Sequence, residues 1–549
     1  MKSHAMRWGF VACLLLGTSM LADTREPGAG QAPLELDALA KEFRAARRDS
    51  SQNADFTPAR VEQQRTALNT FRSRLDAMPR TEWAVADQVD WYLLLTEMNQ
   101  ADFEMRVLQP WARDPGFYVS QLVGGLGQTD KLTAEQAARL TKRLERAPAL
   151  LEQARTNLTD ATSWHAEVTL HDIETPQDPT RVQPRYRGPV TALRVLEKNA
   201  TSYPELARAA KTAADAVVEY GKWMRTNLTK MAPKGNIGLD NYNWYLRNVH
   251  LSEYDTTQAL TLAQRDYERT IANLAFHENM NRNVPPLERA TTADEYYRRD
   301  RDGEQRARRW LDEDNILTLQ TKDVPEYFWP GVRWQEHLDW WTETLFREPL
   351  VDKVHAGVPG HQYDSLIASR HPRPIRAGYT ATRMWGEGWG FYLEELGLQT
   401  RLLADRPRSK EIFDLWQAYR YHRVLFEIKA AAGEMGPKDI VGYQIKMMPL
   451  MHADDSTAWM EAGIAIRRPQ QIQYVLGKYQ LEGLVARARL RLGEKFNLRE
   501  FHDRLFKAGP IPVALSEWET TGNDQLLKKL KVGAPAAAPA APTAKKPTN

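Results

Sequence analysis

A single cysteine is present in 549 residues, and it is Cys13, inside the short apolar run Trp8–Leu16 near the start. Once that segment is removed, no thiol remains. Disulfides and a cysteine nucleophile are then excluded, and stability has to come from the size of the core. Long apolar runs are missing as well. Trp8–Leu16 is too short to span a bilayer, and no second stretch is long enough to do so. Charge of one sign is not in excess either. The net charge is +3, which leaves no strongly basic footprint, so no nucleic-acid partner is expected. There is no Gly-x-Ser-x-Gly elbow and no Gly-x-x-x-x-Gly-Lys phosphate loop. There is also no repeat at a fixed period and no clear run of alternating strands.

What is present begins with an export signal. Lys2 and Arg7 precede the apolar run, and small residues lead to a cleavage point at Ala22. An uncleaved anchor is the alternative. No leucine stands three residues before Cys13, which argues against lipid attachment there. The expected organisation is a signal peptide over 1–22, a flexible leader over 23–35, a helical domain over 36–532 and a disordered Ala/Pro/Lys tail over 533–549. The domain is either one body or two lobes. The protein is expected to be periplasmic or secreted, with no stable membrane span after cleavage.

Helix signals fill the long middle segment. Thr57-Pro58 offers an N-cap with proline behind it, and Val61, Leu68, Phe71, Leu75 and Met78 follow at helical spacing. Residues 83–107 predict a longer buried helix. Thr133 and Gln136 form a capping box, and Pro148 interrupts the stripe that follows, predicting a kink or two helices. Residues 174–189 read as a loop, 193–231 and 256–280 as helices, and 323–331 as a connector. The charged run 298–309 reads as a solvated helix face. Asn497 and Glu500 suggest a second capping box. The aromatics of 240–247 either line a cleft or pack in the core. The 17 tryptophans suit a thick helical core. The fold class is mainly α.

The chemistry is concentrated in residues 355–395. His355-Ala356-Gly357-Val358-Pro359-Gly360-His361-Gln362 is followed by Glu387-Gly388-Trp389-Gly390-Phe391-Tyr392-Leu393-Glu394. Two histidines and a later carboxylate make a zinc ligand set that leaves a position open. The histidines are six residues apart, roughly 240° around a helix, so they cannot share a face of one regular helix. Pro359 predicts a new helix starting there, with His355 on the preceding turn or helix end and His361 on the first new turn. Glu387 falls on a second helix. Glu394, two turns further along the same face, either flanks the ligands or lies on the polar side of that helix.

These residues resemble the bacterial domain-of-unknown-function 885 family, which is grouped with zinc metallopeptidases and shows His-Glu-x-x-Pro-Gly-His followed by Glu-Gly-Trp-x-x-Tyr-x-Glu. His355, Pro359, Gly360 and His361 match the first motif. Glu387, Gly388, Trp389, Tyr392 and Glu394 match the second. The resemblance implies a metallopeptidase-like helical fold around a central cleft, and zinc held by His355, His361 and Glu387. Gln362, Trp389, Tyr392 and Glu394 would surround the ligands or the substrate, and Tyr474 would be a catalytic hydrogen-bond donor to an oxyanion or else a packed tyrosine. The chain has Ala356 where the family has the glutamate that activates water. An Asp-Thr-Gly-x-His turn is also missing near Glu427, and Ile464 stands where an arginine would follow Glu461. Two functions are therefore compatible with the sequence. One is an exported zinc peptidase-like hydrolase acting on a peptide or small amide. The other is a non-catalytic peptide-binding protein on the same fold. Asp352, Asp364 and Glu394 are near enough in sequence to replace the missing base, and spacing does not choose among them.

Overall fold

The computed structural model describes residues 32–52, 56–126, 132–175, 188–319, 323–336, 338–448, 450–452 and 456–532. The expected signal peptide, the tail and most of the 174–189 loop lie outside these residues. Among the described residues the chain is helical, and the one β-like contact is an isolated bridge between Thr162 and Ala232. No described helix is long and apolar enough to cross a membrane.

Three helices open the chain: α1 (Ala32–Gln52), α2 (Pro58–Asp76) and α3 (Val85–Phe103). The first begins at Ala32, so it takes in the end of the segment expected to be a leader. Thr57 stands at the N-cap of α2, but its side chain makes no capping bond. The buried segment after Trp83 ends as a regular helix at Phe103 and finishes in a π-helical turn, Glu104–Leu108.

The next group is α4 (Pro115–Val123), α5 (Ala134–Glu145), α6 (Ala147–Asn157), α7 (Ser163–Glu174), α8 (Pro189–Asn199) and α9 (Pro204–Asn227). The Thr133–Gln136 capping box is present in both directions. Pro148 sits in the first turn of α6, so the interrupted stripe is two helices. The stretch expected as one helix over 193–231 is likewise divided, because Pro204 starts α9 and cannot continue α8. Leu144, Leu151, Leu193, Leu196, Ala210 and Val217 are among the residues that close this group around its own apolar core.

The third and largest core belongs to the later helices, which carry the chemistry. They are α10 (Leu239–Asn248), α11 (Thr256–Met280), α12 (Ala293–Glu313), α13 (Trp340–Arg347), α14 (His361–Ser369), α15 (Met384–Gln399), α16 (Ser409–Ala432), α17 (Pro437–Met447), α18 (Ser456–Arg467) and α19 (Ile472–Leu492). The aromatics of α10 pack inward: Tyr242 is fully buried and its hydroxyl donates to Glu427. α16 is buried on every side, with no polar stripe, which marks it as the central rod of this core. Two further helices, α20 (Leu498–Ala508) and α21 (Val513–Thr521), return to the first group, and a short one, α22 (Gln525–Leu530), follows them. At the start of α20, Asn497 accepts from the Glu500 backbone. The Asn497 cap is therefore present, without the return bond that a capping box requires. The buried Arg376 guanidinium ties the two ends together, with Nε 2.7 Å from Asp90 of α3 and Nη2 2.6 Å from Glu519 of α21.

The charged run on α12 is not simply a solvated face. Its arginines 298, 301 and 309 are exposed, but Asp300 and Glu304 point inward. They meet Lys353 at 2.7 and 3.2 Å, and all three side chains are essentially inaccessible. Burial lifts the Asp300 carboxyl to about 6 despite the ammonium beside it. Lys353 also donates to the carbonyl of Phe328. Glu304 keeps Arg308, whose Nη2 is 2.7 Å from it, so removing Lys353 strands chiefly Asp300, which is left with the Tyr327 hydroxyl. Lys353→Met is expected to destabilise the protein by about 3–5 kcal/mol, read as a lower urea midpoint. An unchanged midpoint would mean that the Asp300 carboxyl is already neutral.

Candidate metal centre

Lys353–Gly357 forms a π-helical turn, and His355 sits in its middle. The wider π turn breaks the regular rotation, as such turns often do at functional sites. The chain then reverses through Val358-Pro359-Gly360, and α14 begins at His361. Pro359 is therefore not the first helical residue; it belongs to the reversal, with His361 taking the helix start. The fold-back is tight. A β-carbon on residue 360 would stand 1.9 Å from the carbonyl oxygen of His355, so glycine is required for space. The Trp389 indole holds the reversal from beneath, donating to the Pro359 carbonyl at 2.8 Å. In this way histidines that cannot share a helix face come together, with ring centroids 4.7 Å apart.

Glu387 comes from the first turn of α15. Its Oε2 is 3.0 Å from Nε2 of His361 and 3.7 Å from Nε2 of His355. One donor atom from each of the three residues lies within 4.8 Å of the others. Ligands at 2.0–2.1 Å around a tetrahedral zinc are about 3.3 Å from one another, so this donor set fits such an ion without large movement. Burial works against the Glu387 carboxylate, but the charge and hydrogen bond of His361, with His355 beside it, hold it well below the usual range. Exposure is uneven: 5% for His355, 11% for Glu387 and 32% for His361. The site is thus reached from the His361 side, where the exposed Arg383 has Nη1 3.8 Å from Glu387.

α15 carries glycine at 386, 388, 390 and 397, although each costs a helix interior about 0.8–1 kcal/mol relative to alanine. Two of them explain the site. At 390 a β-carbon would stand 2.7 Å from Cε1 and 2.8 Å from Nδ1 of His355, so the imidazole lies directly on the helix backbone. At 388 the backbone is pressed against Gly477 of α19, which brings Tyr474 to the same side. Glu387 and Glu394 flank Gly390 on one face. His355 is therefore bracketed, with Nε2 toward Glu387 and Nδ1 2.7 Å from Oε1 of Glu394, close but without hydrogen-bond alignment. A carboxylate behind a ligating histidine fixes ring orientation and basicity. Glu394 is fully buried and is itself met by Nη2 of Arg420 at 3.2 Å.

The other expected site residues separate. The Tyr474 ring lies nearly parallel to His355, at 15° and 5.9 Å between centroids. The Arg420 and Arg423 guanidinium carbons stand 4.9 and 4.8 Å from its centre. Burial raises its phenol strongly, with the Glu387 charge adding to that, so Tyr474 is a neutral donor. Gln362 donates to the Trp329 carbonyl at 2.9 Å and holds the 323–331 connector. Trp389 supports the reversal, and Tyr392 pairs with Nε2 of His502 at 3.1 Å. Gln362, Trp389 and Tyr392 thus support the frame around the site. Glu461 keeps a cation without an arginine at 464, because Arg423 reaches it from α16. Glu427 accepts from the backbone N–H groups of Gln470, Gln471 and Ile472, and so caps the start of α19. Sequence reasoning missed Arg420 and Arg423. Their signal was a pair of arginines three apart among the aromatics Trp416, Tyr419, Tyr421 and Phe426 of one helix.

Two solved structures share the fold that holds this site. One, described as a candidate lipoprotein of unknown function from Shewanella oneidensis, aligns with a TM-score of 0.68 at 13% identity, over 89% of this chain and 100% of that one. The other, a candidate lipoprotein from Colwellia psychrerythraea, aligns with a TM-score of 0.67 at 13% identity, over 91% of this chain and 99% of its own. No curated protein matches. The family model described as "Bacterial protein of unknown function (DUF885)" matches residues 40–276 and 277–518. The chain spans both matched parts and belongs to the DUF885 family.

Proposed function

We propose that this chain is an exported zinc-dependent hydrolase of the metallopeptidase type, acting on peptide or small amide bonds, with His355, His361 and Glu387 as its ligands. The observation that carries the proposal is the meeting of three donor atoms within 4.8 Å, from residues six and 26 apart in the chain. A structural ion pair would not need a second carboxylate behind His355, an arginine behind that carboxylate and a glycine beneath the ring. Bound zinc would polarise the carbonyl and the attacking water. Tyr474 stays protonated and can donate to the oxygen on which charge develops. Substrate enters the cleft from the His361 side. Export to the periplasm or medium is supported by Lys2, Arg7 and the apolar run after them. The two structural neighbours described as candidate lipoproteins agree with it.

Ala356 favours a second reading. A methyl group accepts no proton, and a peptide-binding protein that keeps its metal would look the same at the ligands. Elemental analysis of the purified mature protein tests the shared premise. About one zinc per chain is expected, and His361→Ala should lose it, because catalytic zinc needs three protein ligands. No zinc in either protein after incubation with the metal would defeat both metal-based readings.

A further inference from the structure

Three carboxylates beside the ligands are not ligands themselves, and two of them are committed. Asp364 accepts from the Trp385 indole at 3.0 Å. Glu394 is engaged by His355 and Arg420. Asp352 differs. Its residue is 7% exposed, yet among the described residues its carboxylate has no hydrogen-bond or ion-pair partner. Neither of its oxygens is a sealed, unsatisfied atom, so the carboxylate of this largely buried residue reaches water, as a group that takes a proton from water must. Asp352 precedes Ala356 by four residues, about one helical turn, and so occupies the same face of the histidine-bearing segment. It lies outside the cluster of donor atoms that can share one ion. The charges that act on it are those of His355, Lys353, Arg420 and His361. Across from it is the backbone of Gly331, where a β-carbon would stand 3.5 Å from Oδ2.

We propose that Asp352 is the general base of this site, taking the proton that Ala356 has no group to accept. The inference rests on the zinc reading above. The oxygen of a water forms a bond to the carbonyl carbon of the substrate, and one of its protons passes to the Asp352 carboxylate. As the carbon–nitrogen bond breaks, that proton passes to the leaving nitrogen. The products are a carboxylic acid, which keeps the second hydrogen of the water, and a free amine. Burial holds the Asp352 carboxyl above its ordinary range, and the neighbouring cations restrain that rise.

The test measures zinc content and hydrolysis of an internally quenched random peptide library on the same preparations. Asp352→Asn keeps the shape and removes the base. It is expected to retain its zinc and to lose about 10²–10⁴-fold in hydrolysis. Asp352→Asn combined with Ala356→Glu is expected to regain at least about tenfold of that loss, which a merely structural aspartate would not allow. Zinc-loaded native protein that cuts nothing in the library overturns the inference, as does an Asp352→Asn variant within about threefold of native. Loss of zinc from Asp352→Asn also overturns it and makes Asp352 a ligand or a support. Absence of zinc from the native protein is a different failure, that of the metal reading itself.

Discussion

Gly477→Ala is expected to destabilise the protein by about 3 kcal/mol or more, a loss at the upper end of what overpacking does in a core. A β-carbon there would stand 2.1 Å from the Met384 carbonyl oxygen and 2.7 Å from the Gly388 α-carbon. Both obstacles are backbone, so no rotamer change relieves them. α15 and α19 would have to separate by about an ångström, and the dispersion contacts beside the crossing weaken together as they do. Trp385, Trp389 and Leu476 are in that core, all within 1% exposure. The opposing effect is helix propensity, which favours alanine by about 0.8–1 kcal/mol. The clash outweighs it. Urea unfolding measures the sum. A rise in midpoint would show that the two helices do not touch as closely as these distances state.

Gly390→Ala is expected to act on the metal and not on the fold. Its obstacle is an imidazole, with the added carbon 2.7 Å from Cε1 and 3.0 Å from Nε2 of His355. A side chain can move aside, and propensity offsets part of the strain, so the urea midpoint should shift by less than about 1 kcal/mol. The ring, however, moves away from Glu387 and Glu394 together. Loss of such an orienting contact typically costs a metal site 10–100-fold in affinity. A displaced ligand ring belongs at the upper end, about 100-fold, measured by competition with a zinc chelator. Unchanged affinity would remove His355 from the ligand set. The contrast with Gly477→Ala is diagnostic, because the same substitution on adjoining helices loses stability in one case and metal in the other.

Much of the architecture was legible in the chain. The capping box at Thr133, the division at Pro148 and the boundaries of α11 follow from local rules that act within a few residues. Pro204 carried the same signal as Pro148, but the apolar stripe resumes behind it in step, which hides the break. The inward turn of Asp300 and Glu304 could not be read from a run of charges. Their partner, Lys353, is about 50 residues away, and the sign of a charge says nothing of which face it takes.

At the site, the residue types and the chain reversal between His355 and His361 were determined by sequence: the six-residue gap forbids one helix and the Pro-Gly pair supplies the break. The mainly α class was determined in the same way, by periodicity. Tertiary structure decided the rest. It separated Glu394, which stands behind His355, from Trp389, Tyr392 and Gln362, which hold the frame. It brought Arg420 and Tyr474 to the site from α16 and α19. Among the three carboxylates that sequence offered as a base, Asp352, Asp364 and Glu394, it left Asp352 without a partner among the described residues. The physical reason is that local rules set backbone conformation, whereas a side chain's partners are set by which helices cross and how closely. Here that closeness depends on glycine pairs whose role is visible only when both helices are in place.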